Sequence, residues 1–124
     1  EVVITHDDYV DGRVFEDAVC YAFYPVDLHT KQGVRPKPLA DGVVPTVPLR
    51  ALIPRESRNL LVAGRSVSSD RLANSGLRVQ ASCMAMGQAA GLAAALAART
   101  GLTPDQIDGV QLRAALEERD VQFL

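Results

Sequence analysis

The feature that most constrains this chain is the run from about 79 to 99, VQASCMAMGQAAGLAAALAAR, almost entirely small, helix-favouring residues. It predicts one long helix. Gly87, Gly91 and Ala95 recur at a spacing of four and so lie along one helix face. A face without bulk lets the axis approach a sheet or a flat ligand. Each glycine costs a helix roughly 1 kcal/mol relative to alanine, so two in one helix mark a packing need. Three readings stand at this point: a core helix on a sheet, a membrane helix with a Gly-xxx-Gly face, and a helix facing a cofactor. The run contains Ser82 and Gln88 and barely reaches the roughly 20 residues that a bilayer needs, which weighs against the membrane reading.

The residues before it give the helix a context. Residues 59–63, NLLVA, run from polar to apolar and stop at Gly64, which suits a buried strand ending where the backbone turns. Residues 65–76 read as a polar loop with four serines, two arginines, Asp70 and Asn74. Strand, polar loop and long helix in that order present a ligand at the carboxyl end of a sheet in α/β proteins. The unpaired N–H groups and partial positive charge at the helix amino end favour an anion there.

The string NLLVAGRSVS, followed at residues 78–96 by RVQASCMAMGQAAGLAAAL, resembles the carboxyl-terminal part of a bacterial FAD-dependent oxidoreductase family. Members end their flavin-binding domain in NLLVAGR-x-[IV]-S and then R-V-x-x-[ST]-C-M-A-[ML]-G-Q-A-A-G-x-A-A-A-L. YPVDLH at 24–29 and VPLRALIP at 47–54 extend the likeness. The family's Gly-x-Gly-x-x-Gly fingerprint, near the start of the full protein, has no counterpart here, so the chain looks like the tail of a larger enzyme. The resemblance implies an α+β fragment of an α/β FAD-binding fold: hairpin plus strand, long Ala/Gly-rich helix and short C-terminal helices. Residues 1–58 then belong to a substrate-side β region, 59–100 close the FAD-binding domain, and 101–124 form a helical tail. The implied partners are FAD, a small-molecule substrate and the remainder of the FAD-binding domain. By matched motif, Gly64, Arg65 and Ser66 contact the ribityl and pyrophosphate region. Arg78, Val79, Gln80 and Ala81 meet the flavin's pyrimidine edge, with Arg78 alternatively meeting substrate. A helix amino end there stabilises the charge that the flavin gains on reduction.

Asp17 to His29 contains a strand-like run in which Val19, Tyr21 and Phe23 alternate with Cys20, Ala22 and Tyr24, so both faces are apolar and a buried strand is expected. Beyond Pro25, Asp27 and His29 project to the same side of an extended backbone. They are a candidate proton-transfer pair, with His29 as base and Asp27 as its orienting partner. A loop histidine bonded to backbone is the other reading of the spacing; the resemblance sets this segment on the substrate side of the flavin. Residues 30–44 read as a surface connection. Residues 44–54, with three prolines, read as an edge strand returning by a hairpin to 21–25. Arg50, the one charge in that run, calls for a carboxylate or an anionic ligand, which makes it a candidate substrate-binding residue; snorkelling to water is the alternative.

At the amino end, residues 1–5 suit a short strand and Thr5 a helix cap. His6, Asp7 and Asp8 fit a solvated turn rather than a metal site, since no second ligand cluster has the spacing. After the long helix, Gly101 suits a left-handed stop. Thr103-Pro104 opens a short turn. Asp108 caps a last helix over 110–119 with Val110, Leu112, Ala115 and Leu116 inward, and 121–124 close as an extended tail. The net charge of −2 offers no surplus to neutralise phosphates, so nucleic acid is not an expected partner. Aromatics make up only 5% of the residues, so the core is thin and fits a piece that leans on a partner segment. Cys20 and Cys83 suit reduced thiols in a cytoplasmic protein. Without the rest of the flavin domain the isolated chain is expected to be inactive. A non-catalytic interaction or self-association module, docking through the Gly87–Gly91–Ala95 stripe, is the alternative from a different class.

Overall fold

The computed structural model describes residues 2–34 and 36–122. Glu1, at the start of the expected first strand, and Phe123 and Leu124, in the expected tail, lie outside the described residues.

The long helix is present as α3, Gln80–Thr100, with Val79 as N-cap and Gly101 at φ +70° closing it in the left-handed conformation. One side of α3 buries Met86, Ala89, Ala90, Ala93 and Ala97 against β1 (Ala18–Tyr21) and α4 (Gly109–Glu117). Gly87, Gly91 and Ala95 are on the other side, exposed, and a Cβ added at either glycine would meet nothing within 4 Å. The small-residue stripe therefore packs against nothing among the described residues. Alanines rather than glycines carry the packing here, because β1 and α4 approach the opposite face. By length and composition α3 would also span a bilayer.

The hairpin forms with a shifted register. β1 pairs antiparallel with β4, Thr46–Pro48, through Ala18↔Pro48, Cys20↔Val47 and Tyr21↔Thr46, with a bulge between Ala18 and Cys20. Regular pairing thus ends near Tyr21 instead of beginning there. The surface connection at 30–44 contains structure that the sequence did not announce: β2, His29–Thr30, pairs with β3, Gly33–Val34, and Val26 bridges to Lys37. Residues 59–63 are not a laddered strand. Ala63 is extended, but the recorded tie is Val62 N–H to the Leu52 carbonyl at 2.8 Å. Extended backbone becomes a strand only when a neighbour takes its N–H and C=O groups in succession, and the single Val62–Leu52 bond makes no ladder.

The expected polar loop is instead half helical: α2 runs Arg71–Leu77 behind Asp70, whose side chain accepts from the Ala73 N–H. A buried face of Ala73, Gly76 and Leu77 drives it. At the amino end, α1, His6–Val10, carries a full capping box between Thr5 and Asp8. Asp8 also pairs with Arg13 at 2.8 Å, which accounts for that acidic cluster. Ile4 makes a single parallel bridge to Ser69 rather than a strand. Thr103 and Gln106 form a second capping box, and Asp108 caps α4. On α4, Leu112 and Leu116 are buried as expected, whereas Val110, in the first turn, is 71% exposed. The core joins Ile4, Tyr9, Val19, Val47, Leu52, Leu77, Met86, Leu112 and Leu116, so it draws on residues 1–58, 59–100 and 101–124 alike. A mixed α+β fragment results.

Candidate functional site

Two cavities flank the junction between α2 and α3. Arg78 lines one and Val79 the other.

The first, about 380 Å³, opens at the amino end of α3 between Tyr21, Phe23, Tyr24, Val79, Ala81 and Ser82. Its aromatic wall is built by the continuation of β1 past its paired residues. Phe23 is 65% exposed there, which corrects the reading of 19–24 as buried on both sides: the strand leaves the sheet at Ala22 and its rings line the cavity. Tyr21 and Phe23 stand with ring centroids 6.1 Å apart. Tyr9 fixes the segment from behind, its phenol donating to the Tyr24 carbonyl at 2.7 Å. Because Val79 is the N-cap and offers no side-chain cap, the orphan N–H groups are those of Gln80, Ala81 and Ser82, one residue later than expected. Gly64 stands across the first turn of α3. Its φ of +70° suits glycine, and a Cβ there would lie 3.6 Å from the Cys83 side chain. Gly64–Ser66 forms a 3-10 turn with Arg65 and Ser66 exposed. Cys83 is half-buried beside this turn, while Cys20 is buried and its thiol is pushed up to about 12 by burial; both are free.

The second cavity, about 220 Å³, is polar, lined by Asp27, His29, Arg71, Asn74, Ser75 and Arg78. Here the structure joins the expected pair: His29 Nε2 lies 3.5 Å from Asp27 Oδ2, with the imidazole 61% and the carboxylate 14% exposed. The backbone holds Asp27 from two sides. Its N–H donates to Ser75 Oγ at 3.0 Å, and its carbonyl accepts from the Arg78 guanidinium at 3.3 Å. Asp27 Oδ1 is buried without a hydrogen-bond partner among the described residues, a condition that costs about 1–3 kcal/mol. Ser75, Asn74 and Arg71 enter because α2 is a helix, which the polar composition of 65–76 concealed.

Arg50 belongs elsewhere. Its guanidinium forms a two-pronged pair with Asp17, both contacts at 3.0 Å, and it lines a different cavity with Glu16 and Asp17. The carboxylate that the sequence called for is Asp17. Among the described residues no three His, Cys, Asp or Glu side chains gather as a metal site.

A family model described as FAD dependent oxidoreductase matches residues 1–116. The chain belongs to that family. No curated protein and no solved structure matches it. The cofactor that the family implies fits the first cavity on structural grounds. An aromatic slot beside uncapped helix N–H groups offers what a flat ring system with one polar edge requires.

Proposed function

We propose that this FAD-dependent oxidoreductase family member supplies the flavin-edge and proton-handling half of the active site. The single observation that carries the reading is the juxtaposition across Arg78–Val79: an aromatic cavity capped by free helix N–H groups on one side, and the His29–Asp27 pair on the other. When bound, FAD supplies the hydride acceptor.

The chain's own residues have separate roles in this reading. Gln80, Ala81 and Ser82 N–H groups hold the negative edge of the ring, a preorganised donor set of the kind that stabilises developing charge. Arg65 and Ser66, exposed on the turn that starts at Gly64, reach phosphate or ribityl oxygens. Tyr21, Phe23 and Tyr24 exclude water from one side. His29 takes the proton that substrate loses, and Asp27 orients the ring and stabilises its charged form. Arg78, whose backbone leads into α3, faces substrate. Arg50 holds the chain end of the sheet together through Asp17. The exposed Gly87–Gly91–Ala95 face of α3 receives the remainder of the FAD-binding domain. The two free thiols suit a reducing, cytoplasmic setting.

The deciding experiment is a flavin absorption spectrum after desalting, on this chain and on the longer protein. Retained flavin bands that disappear when the aromatic slot is filled by Ala81→Trp support the reading. Retention unaffected by that substitution places the ring elsewhere and defeats it.

A further inference from the structure

We infer that the cavity beside His29 is a carboxylate-recognition site, and that the substrate is a small molecule whose carboxylate is held by Arg71 and Arg78. The inference rests on the reading of His29 as the proton acceptor of the same site and adds the substrate class to it.

The argument starts from charge. The cavity lining carries two guanidiniums, Arg71 and Arg78, against one carboxylate, Asp27, and that carboxylate already faces His29 at 3.5 Å. The structure's other lining groups are partly committed. Ser75 Oγ donates to the Leu72 carbonyl at 2.6 Å and accepts from Asp27, and Asn74 donates to Ser69 Oγ at 3.1 Å. The guanidiniums are not committed in the same way. Arg13 has Asp8, Arg50 has Asp17 and Arg113 has Glu117, whereas among the described residues no carboxylate pairs with Arg71 or Arg78.

The acid nearest to Arg71 in sequence is engaged with backbone N–H groups and makes no ion pair with it among the described residues. Asp70 spends Oδ1 on the Ala73 N–H at 2.8 Å and Oδ2 on the His6 N–H at 2.6 Å. Arg78 gives one long contact from its terminal Nη2, 3.3 Å, to the Asp27 carbonyl, which occupies one donor of the fork and leaves the others. A planar fork of N–H donors matches a carboxylate in two-pronged fashion, where an ammonium would offer only a point charge. A cavity of about 220 Å³ suits a small acid, and the Asp27 carboxylate on its wall disfavours a doubly charged phosphate over a singly charged carboxylate.

The test is titration of the ¹⁵N-labelled chain with propionate and, separately, with its neutral analogue propionamide, read at the arginine Nε–H resonances. Propionate is expected to shift Arg71 and Arg78 saturably, and propionamide is not. Arg71→Gln is the clean variant, because that side chain holds nothing else among the described residues; it should weaken propionate binding on the order of tenfold. Arg71→Lys should recover part of the loss, and Arg99→Gln, at the far end of α3, should leave binding unchanged. Equal binding of the amide, or full affinity in Arg71→Gln, overturns the inference. His29→Ala should retain propionate binding while losing turnover in the flavin-loaded protein. If it retains both, the proton-acceptor reading fails and the carboxylate site stands; if turnover falls but propionate never binds, the carboxylate site fails alone.

Discussion

The phenol ring of Tyr9 lies against the Cα of Gly76, so closely that a Cβ built on Gly76 would stand 2.5 Å from the Tyr9 Oη. The same hydroxyl donates to the Tyr24 carbonyl. One contact thus ties α1 to α2 and both to the aromatic wall of the cavity at the amino end of α3. Tyr9 is 1% exposed, and burial pushes its phenol up to about 12, so it remains a neutral donor across the working range of pH. Gly76→Ala should destabilise the chain by about 1–3 kcal/mol through overpacking, measured by urea denaturation. Tyr9→Phe should cost about 1 kcal/mol for the lost hydrogen bond. Wild-type stability in Gly76→Ala would mean that Tyr9 swings aside freely.

His29→Ala in the full flavin-loaded enzyme should lower kcat/KM by about 10²- to 10⁴-fold, measured under steady-state conditions. Asp27→Asn preserves the shape of the pair and removes its charge, so its loss should be smaller than that of His29→Ala. A normal rate in His29→Ala would dismiss the imidazole as the proton acceptor.

FAD should raise the melting temperature of the protein, because a ligand stabilises the state that it binds. At a hundredfold excess over Kd the gain is about 2.7 kcal/mol. Gly64→Ala should lower the melting temperature with and without FAD alike: the residue sits at φ +70°, and a side chain there strains the turn by about 1–2 kcal/mol. Identical melting curves with and without FAD, on both this chain and the longer protein, would count against the cavity at the amino end of α3.

The Asp17–Arg50 pair predicts a direction for acid sensitivity. Burial acts to raise the Asp17 carboxyl, but the hydrogen bonds and charge of Arg50 outweigh it and hold the group below the ordinary 3.8. Asp8 is lowered in the same sense by Arg13 and Thr5 against the opposing pull of burial. A carboxyl depressed on folding contributes its stability in full above the unfolded value and loses it as pH falls through the folded value. Asp17→Asn should therefore cost about 1–2 kcal/mol at neutral pH, and the gap to wild type should close as the medium is acidified below 3.8. Denaturation curves at a series of pH values check this; a gap that is constant with pH would assign the loss to packing rather than charge.

Some of this was legible residue by residue. The spacing of Asp27 and His29 placed them together, and the structure keeps their side chains 3.5 Å apart. Thr5, Thr103, Asp108 and Gly101 announced their caps, since capping is a local negotiation among neighbouring backbone groups. The α2 helix was concealed by its asparagine, serine and glycine. Only the docking of Ala73, Gly76 and Leu77 against Tyr9 and the core outweighs the weak helix preference of Asn74, Ser75 and Gly76, and that contact lies far away in sequence. Without α2 in view, Arg71 could not be set beside His29.

By itself, then, the sequence determined the long alanine-rich helix, its stop at Gly101, the hairpin partners and the family to which the chain belongs, because each depends on local propensity or on a contiguous motif. Tertiary structure decided the rest: the hairpin register, the exposure of Phe23, the pairing of Arg50 with Asp17, and the gathering of Arg71 and Arg78 around Asp27 and His29. Those outcomes depend on which surfaces meet. Burial and charge pairing act between residues distant along the chain, and periodicity within a short stretch carries no record of them.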